Sequence, residues 1–372
     1  MNQQNPKETK SLDELVVDLR QHDWAVNSRT ADALAEMGEA AIPCLLQALE
    51  SKDGYARNGA AIALGKIRNP EATSALIAAL RWRDNSVSEE DEDQGARISA
   101  ATALGKVGNS AASAALLAEL KKVGRTELAL ASYIVAALGE IGDSDAIPLL
   151  SRMFEHWDFE TQKMATWALA RMGPKGTQAL LCIAADRTRL GRLFAINALQ
   201  TNGAESAVPV LTDILKNESD DKFVRAAAAR ALGRIGKSPA VLPLLLAMLG
   251  ASENEIKSSA AMGLGYLRDP AAYEAIVSHL ENPELRYVAA MALGELRDAR
   301  ACKPLILALE EDDLSLAIHA ATALAKLGCP DAIPALIGLR DRQSESPVWQ
   351  AHRAAVDAAI EMLQRQTMLP PA

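Results

Sequence analysis

The sequence predicts an all-α solenoid, a right-handed superhelix of about ten two-helix repeats with a capping helix at each end. Three observations predict it. A helical pattern ending in A-L-G recurs at intervals of 29 to 40 residues, a period typical of stacked repeats. A second, shorter apolar helix follows each copy. Aromatic residues make up only 4% of the chain, as expected for a core built of alanine and leucine.

The clearest copy of the pattern runs from Lys222 to Gly236 and reads K-F-V-R-A-A-A-A-R-A-L-G-R-I-G. At about 100° per residue, Val224, Leu232 and Ile235 share one arc with several alanines, so this arc is the predicted buried face. Gly236 can adopt the left-handed backbone that ends a helix. Counted from the first residue of A-L-G, here called the motif alanine, the copies lie at Ala33, Ala63, Ala103, Ala137, Ala168, Ala198, Ala231, Gly263, Ala292 and Ala323.

The second helix of each pair is marked by proline in its first turn, where the missing N–H group costs nothing. Proline occurs there at Pro43, Pro148, Pro209, Pro243, Pro304 and Pro334. One such helix pair cannot bury its apolar faces alone. Stacked pairs form a continuous core from local contacts.

The combined pattern V-R-x-x-A-A-x-A-L-G-x-I-G-x-x-x-A-I-P-x-L-L resembles the HEAT-like repeat first named for phycobilisome lyases. The resemblance extends over roughly residues 12 to 363. It implies the solenoid fold, and it implies little about function, because similar proteins include scaffolds, chaperone-like factors, pigment lyases and a few metal enzymes.

Residues 11–363 are predicted to form a single solenoid between a flexible N-terminus, 1–10, and a flexible tail, 364–372. Ser11 and Glu14 have the spacing of a capping box at the start of the first capping helix. The last capping helix is predicted to begin after Ser346.

An acidic insertion is predicted at residues 84–94, where the interval between copies rises to 40 residues. Five consecutive acidic residues, 89–93, repel one another and bury no apolar surface, so the segment is expected to be a flexible loop. It could be a docking element for a basic partner or an insertion tolerated at a surface turn.

The net charge of −9 and the pI near 5.3 argue against nucleic acid as a partner, because a phosphate backbone would be repelled. The longest apolar runs are too short to cross a bilayer, and the N-terminus shows no apolar targeting segment. The expected protein is therefore a cytoplasmic monomer without membrane insertion.

No pattern for catalysis, cofactor binding or metal binding is found in the sequence. Repeat proteins that resemble deoxyhypusine hydroxylase hold iron with His-Glu dipeptides, and none of the five histidines here is followed by glutamate. Nucleotide-binding and hydrolase motifs are also missing. Cys44, Cys182, Cys302 and Cys329 lack C-x-x-C spacing, so buried free thiols are predicted.

A basic side chain recurs six residues before the motif alanine. The residues at this position are Asn27, Arg57, Arg97, Ala131, Gln162, Arg192, Arg225, Lys257, Arg286 and Ala317. In similar proteins this position forms a ladder in which each arginine pairs with an acid or a carbonyl of the next turn. A structural role is therefore favoured over ligand binding.

These observations favour a non-enzymatic scaffold, adaptor or assembly factor that binds another protein on the concave face of the solenoid. The alternative is a factor similar to phycobilin lyases, or a chaperone-type factor, acting on a chromophore or a phycobiliprotein. A lyase of that type is the one enzyme class that the resemblance leaves open.

The partner site is predicted on the inner face of copies five to nine. Positions five, two and one before the motif alanine, and three after it, should point outward from the first helix of each pair. There the sequence places aromatic, methionine and arginine residues, which are typical of interface cores. The predicted site comprises Trp157 on an adjacent turn, Trp167, Arg171, Leu193, Ile196, Arg230, Arg234, Met262, Tyr266, Tyr287 and Met291. Tight winding of the solenoid would instead bury some of these between helices.

Overall fold

A computed structural model describes residues 10–83, 90–123, 127–156, 159–188, 191–236, 238–342 and 347–368. In chain order the helices are α1 (Leu12–Asp18), α2 (Trp24–Glu36), α3 (Ile42–Leu49), α4 (Gly54–Ile67), α5 (Thr73–Arg81), α6 (Glu90–Val107), α7 (Ser110–Val123), α8 (Leu128–Ile141), α9 (Ile147–His156), α10 (Phe159–Arg171), α11 (Gly173–Ala185), α12 (Arg192–Thr201), α13 (Val208–Lys216), α14 (Lys222–Ile235), α15 (Val241–Met248), α16 (Asn254–Leu267), α17 (Tyr273–Val277), α18 (Arg286–Leu296), α19 (Cys302–Glu310), α20 (Leu314–Leu327), α21 (Ile333–Arg342) and α22 (Pro347–Met368). These ranges contain no strand.

The predicted all-α solenoid is confirmed. Each even-numbered helix from α2 to α20 carries one motif alanine, or Gly263 in its place, and is the first helix of a pair. Each odd-numbered helix from α3 to α21 is the second. The capping helix α1 packs on α2 and α3, and α22 packs on α20 and α21. The capping box of Ser11 and Glu14 at the start of α1 is present.

The chain divides into two compact units. One comprises residues 1–183 and 189–194, and the other comprises residues 184–188 and 195–372. In the first unit, α2, α4, α6, α8 and α10 pack side by side in chain order. In the second unit, α14, α16, α18 and α20 do the same. The single uninterrupted domain over 11–363 stays a prediction.

The A-L-G motif provides the contact between neighbouring first helices. Its leucine is at most 1% exposed in every copy. Its glycine brings backbones together: a Cβ atom on Gly139 would lie 2.6 Å from the Cα of Ala168, and one on Gly233 would overlap the backbone of Gly263. Small residues are therefore required where first helices touch.

Three first helices that lack a terminal glycine end at an arginine instead. Arg68, Arg268 and Arg297 adopt left-handed backbone with φ values of 59°, 55° and 59°. The next residue, Asn69 in the first case, then accepts a hydrogen bond from a backbone N–H of the following turn. Asp269 and Asp298 do the same.

Two boundaries differ from the prediction. Residues 90–94, expected in a flexible acidic loop, form the start of α6. The helix dipole favours acidic side chains in the first turn of a helix. In addition, Asp93 forms an ion pair with Arg57 of the preceding repeat, which fixes the start of α6 against α4. Residues 84–89 lie outside the described ranges, as do residues 1–9. At the other end, α22 continues through residues 364–368, which were expected in the flexible tail.

The cysteine prediction was wrong for three of the four residues. Cys302, at the start of α19, and Cys329, after α20, form a disulfide with a Cα–Cα distance of 6.0 Å. Cys182 is free and exposed, and Cys44 is free and half-buried. Partial burial raises the pKa of the Cys44 thiol. C-x-x-C spacing concerns only cysteines that are close in sequence, whereas the stacking of repeats brings together two cysteines 27 residues apart.

Replacement of Gly233 by alanine should destabilise the second unit, because the new methyl group overlaps the backbone of Gly263. The expected loss of unfolding free energy is about 1–3 kcal/mol, as for overpacked cores. Gly338, in α21, is the matched control because a Cβ there meets no atom within 4 Å. Gly338→Ala should stabilise by about 0.5–1 kcal/mol through helix propensity. Urea unfolding followed by circular dichroism measures both, and stabilisation by Gly233→Ala would contradict the close approach.

Reduction of the disulfide should lower the free energy of unfolding. A closed loop of 27 residues is expected to contribute about 3–4 kcal/mol through the entropy of the unfolded chain. The Cys302→Ser variant should show the same loss without reductant, and Cys182→Ser should show little change. Thiol titration of the denatured, unreduced protein should count the two thiols of Cys44 and Cys182; four reactive thiols would show that the disulfide is absent.

Candidate functional site

Buried arginines join consecutive repeats, and Arg225 of α14 shows how. Its Nε donates to the carbonyl of Leu215 at 3.2 Å, and its Nη1 lies 2.7 Å from a carboxylate oxygen of Glu253. Arg57, Arg97 and Arg286 are likewise paired with Asp93, Glu127 and Asp313 of the next repeat. The predicted ladder is confirmed for these four arginines, except that Leu215 belongs to the preceding helix and not to the next turn. Lys257, at the same position, instead donates a hydrogen bond to Asn254 of its own helix. These arginines hold the repeats together.

The outward surface of the first helices is narrower than the sequence predicted. The position two before the motif alanine is buried in every copy, and Ile196 there is 0% exposed. Ile196 was therefore wrongly placed on the surface, because its side chain faces into the fold. The remaining outward positions, five and one before the motif alanine and three after it, are here called the first-helix face.

The first-helix face of the first unit contains an exposed tryptophan and arginine. Trp167 is 40% exposed, and the guanidinium of Arg171 lies 4.8 Å from the centre of a ring of its indole. This distance is typical of a cation–π contact. Leu193 is exposed as well. Trp157, the other predicted member of this region, lies outside the described residues.

In the second unit, two arginines of α14 contact α16. Arg230 is half-buried, and its Nη1 donates a hydrogen bond of 2.6 Å to Oγ of Ser259. Arg234 is exposed, and its guanidinium lies 4.1 Å from the ring centre of Tyr266. Burial lowers the pKa of Arg230, and the positive charge of Arg234 adds to this shift. Both residues are thus on the surface where they were predicted.

The other predicted residues of the second unit lie on α16 and α18. Met291 is 40% exposed, whereas Met262 is only 9% exposed and belongs mainly to the core. Tyr287 is half-buried, and its hydroxyl donates to a carboxylate oxygen of Asp313 at 2.9 Å. This hydrogen bond is the main cause that raises the pKa of Tyr287. Burial of Met262 and Ile196 agrees with the alternative that tight winding hides some predicted residues.

Exposed aromatic side chains also occur at the beginning of first helices, outside the predicted site. Phe159 in α10 and Phe223 in α14 are both exposed. Phe223 follows Asp221, whose carboxylate caps α14. The sequence feature that could have indicated their exposure is an aromatic residue in the first turn of a helix but outside its apolar arc. These residues add apolar surface beside acidic turns.

Two negative findings apply to the described part of the chain. Its His, Cys, Asp and Glu side chains form no group of three or more that could hold a metal ion. Among its helices, none combines the length and the apolar character needed to cross a membrane.

The repeat structure agrees with the match to a family model described as HEAT repeats, which covers residues 12–90, 177–265, 243–316 and 273–357. These ranges include more than half of the chain. The chain belongs to the HEAT-repeat family. A second model, the armadillo/beta-catenin-like repeat, matches residues 139–172. A comparison with curated protein sequences gives no significant match.

Several solved structures share the HEAT-repeat fold. Importin beta is 13% identical, with a TM-score of 0.53, over 95% of this chain and 57% of its own. Kap121p is 13% identical, with a TM-score of 0.58, over 97% of this chain and 45% of its own. A Kap95p structure with RanGDP is 15% identical, with a TM-score of 0.53, over 98% of this chain and 55% of its own. This chain spans about half the length of these proteins, and at such identity the likeness concerns the fold alone.

Proposed function

We propose that this HEAT-repeat protein is a non-enzymatic scaffold or adaptor that binds another protein on the first-helix face of copies five to nine. The observation that carries the proposal is a change in the residues of this face along the chain. In the first two copies, Asp32 and Lys66 form an ion pair there, as expected of a solvated surface. From copy five onward the same positions expose Trp167 and Met291 and carry arginines in contact with aromatic rings.

The residue types on this face are those that contribute most to binding at protein interfaces. Tryptophan, tyrosine and arginine dominate measured hot spots, and methionine is enriched at interface cores. Arg171 and Arg234 are already held against Trp167 and Tyr266. Side chains ordered before binding lose less conformational entropy when a partner docks. The surface is therefore suited to a protein partner.

The structural neighbours support a protein as the class of ligand. Kap121p has been solved bound to Nup53p, to the SUMO protease Ulp1p and to Ste12p. Those complexes describe Kap121p, and they show that a solenoid of this fold can accommodate different protein ligands. For this chain, binding of a protein ligand is the corresponding proposal.

Truncation of the aromatic residues on the first-helix face should weaken partner binding. Trp167→Ala and Tyr266→Ala should each cost about 1–2 kcal/mol or more, a loss of about fivefold to thirtyfold in affinity. The partner is the protein that the wild type retains from native lysate, and affinity is then titrated with that purified protein. Leu307→Ala is the matched control, because Leu307 is exposed on the second helix α19.

Unaltered affinity in the Trp167→Ala/Tyr266→Ala double variant, with unchanged helicity, would contradict the proposed face. A role similar to that of phycobilin lyases predicts a different result. The absorption spectrum of an added bilin would then change when the protein binds it. The bilin spectrum therefore distinguishes the scaffold role from the lyase-like role even before a protein partner is identified.

A further inference from the structure

Arg230 and Arg234 differ from the arginines of the interrepeat ladder. Arg57, Arg97, Arg225 and Arg286 each have a carboxylate within 4 Å. Within the described ranges, no carboxylate lies within salt-bridge distance of Arg230 or Arg234. The chain has 48 acidic and 39 basic residues, so acidic groups to pair with them are not scarce. Arg230 and Arg234 therefore differ from the ladder arginines in lacking an acidic partner, although the chain is rich in acids.

The backbone places the two cations side by side. Arg230 and Arg234 are four residues apart on α14, so their side chains lie on the same side of the helix and repel each other. Arg234 is in the last turn, where the helix dipole favours a cation, but Arg230 is not. The dipole consequently explains one of the two positions and leaves Arg230 without a structural counter-charge.

Contacts with α16 hold both guanidinium groups in place while leaving donors available. A guanidinium has five N–H donors. In the described structure, the side chain of Arg230 makes one hydrogen bond, to Ser259, and none of its nitrogens is both buried and without a partner. The guanidinium of Arg234 lies over the ring of Tyr266, and its N–H donors have no hydrogen-bond partner among the described residues. The free donors of both residues can reach an incoming group.

The surroundings of Arg230 also disfavour its positive charge. Burial and the neighbouring cation both lower its pKa, which means that its surroundings disfavour the positive charge. Arginine nevertheless remains protonated in proteins. An anion placed between Arg230 and Arg234 would relieve the repulsion and accept the unused hydrogen bonds.

We propose that Arg230 and Arg234 form a binding site for the carboxylate side chains of an acidic peptide segment in the partner. The planar guanidinium of arginine binds carboxylates through two parallel hydrogen bonds. Tyr266 and the exposed Met291 offer apolar contact for a neighbouring residue of the same segment. This inference rests on the proposed protein-binding function and specifies the chemistry of the partner.

Fluorescence anisotropy with labelled peptides tests the site. One probe is a glutamate-rich peptide with a central phenylalanine, and the other replaces every glutamate by glutamine. The wild type should bind the glutamate peptide at least about tenfold more tightly, the size expected for charge-assisted hydrogen bonds. Added salt should weaken this binding, because the site is partly exposed.

A pair of double variants separates local recognition from overall charge. Arg230→Gln/Arg234→Gln should abolish the preference for the glutamate peptide. Lys216→Gln/Lys303→Gln removes the same two positive charges from exposed positions on second helices, and it should retain the preference. Circular dichroism and thermal melting of both variants check that the fold is intact.

Equal losses in the two double variants would overturn the site, since overall charge would then account for binding. Equal affinity of the wild type for both peptides would overturn it as well. Neither result affects the proposed function, which fails only if the retained partner binds the Trp167→Ala/Tyr266→Ala variant normally. The two failures can therefore be told apart.

Discussion

The close approach of neighbouring first helices is the constraint on which the rest of this structure depends. At the A-L-G motif, Gly233 faces the backbone of Gly263, and Gly139 faces Ala168, with no space for a larger side chain. Because the backbones nearly touch, each first helix has few positions left that can reach solvent. The residues at those positions then lie in rows across adjacent repeats, and the chemistry of the rows determines what the surface can bind.

The same close packing explains which arginines use their hydrogen-bond donors within the fold and which keep donors free for a ligand. Arg225 is buried, donates to the end of the preceding helix and pairs with Glu253 of the next repeat. Its bonds are therefore used within the fold. Arg230, five residues later, points to the first-helix face and has hydrogen-bond donors that the described residues do not use. Position in the repeat thus separates two arginines of one helix: Arg225 is used within the fold, and Arg230 is the one proposed to bind a partner.

Much of the fold could be predicted from periodicity, because every repeat presents the same evidence again. The ten first helices and the capping box at Ser11 both follow from local pattern. The site was harder to predict. Ile196 is apolar and lies beside the outward arc, and helical periodicity alone does not show that its side chain is fully buried. The disulfide between Cys302 and Cys329 likewise depends on the register of stacked repeats.

Site-specific photo-crosslinking is the most direct measurement of the central claim that the first-helix face binds a protein. A photoreactive amino acid would replace exposed Met291 on α18 in one variant and exposed Leu307 on α19 in the other. After irradiation in native lysate, the account predicts a defined crosslinked protein from position 291 and none from position 307. Crosslinking to the same protein from position 307 alone would place the partner on the second helices and contradict the account.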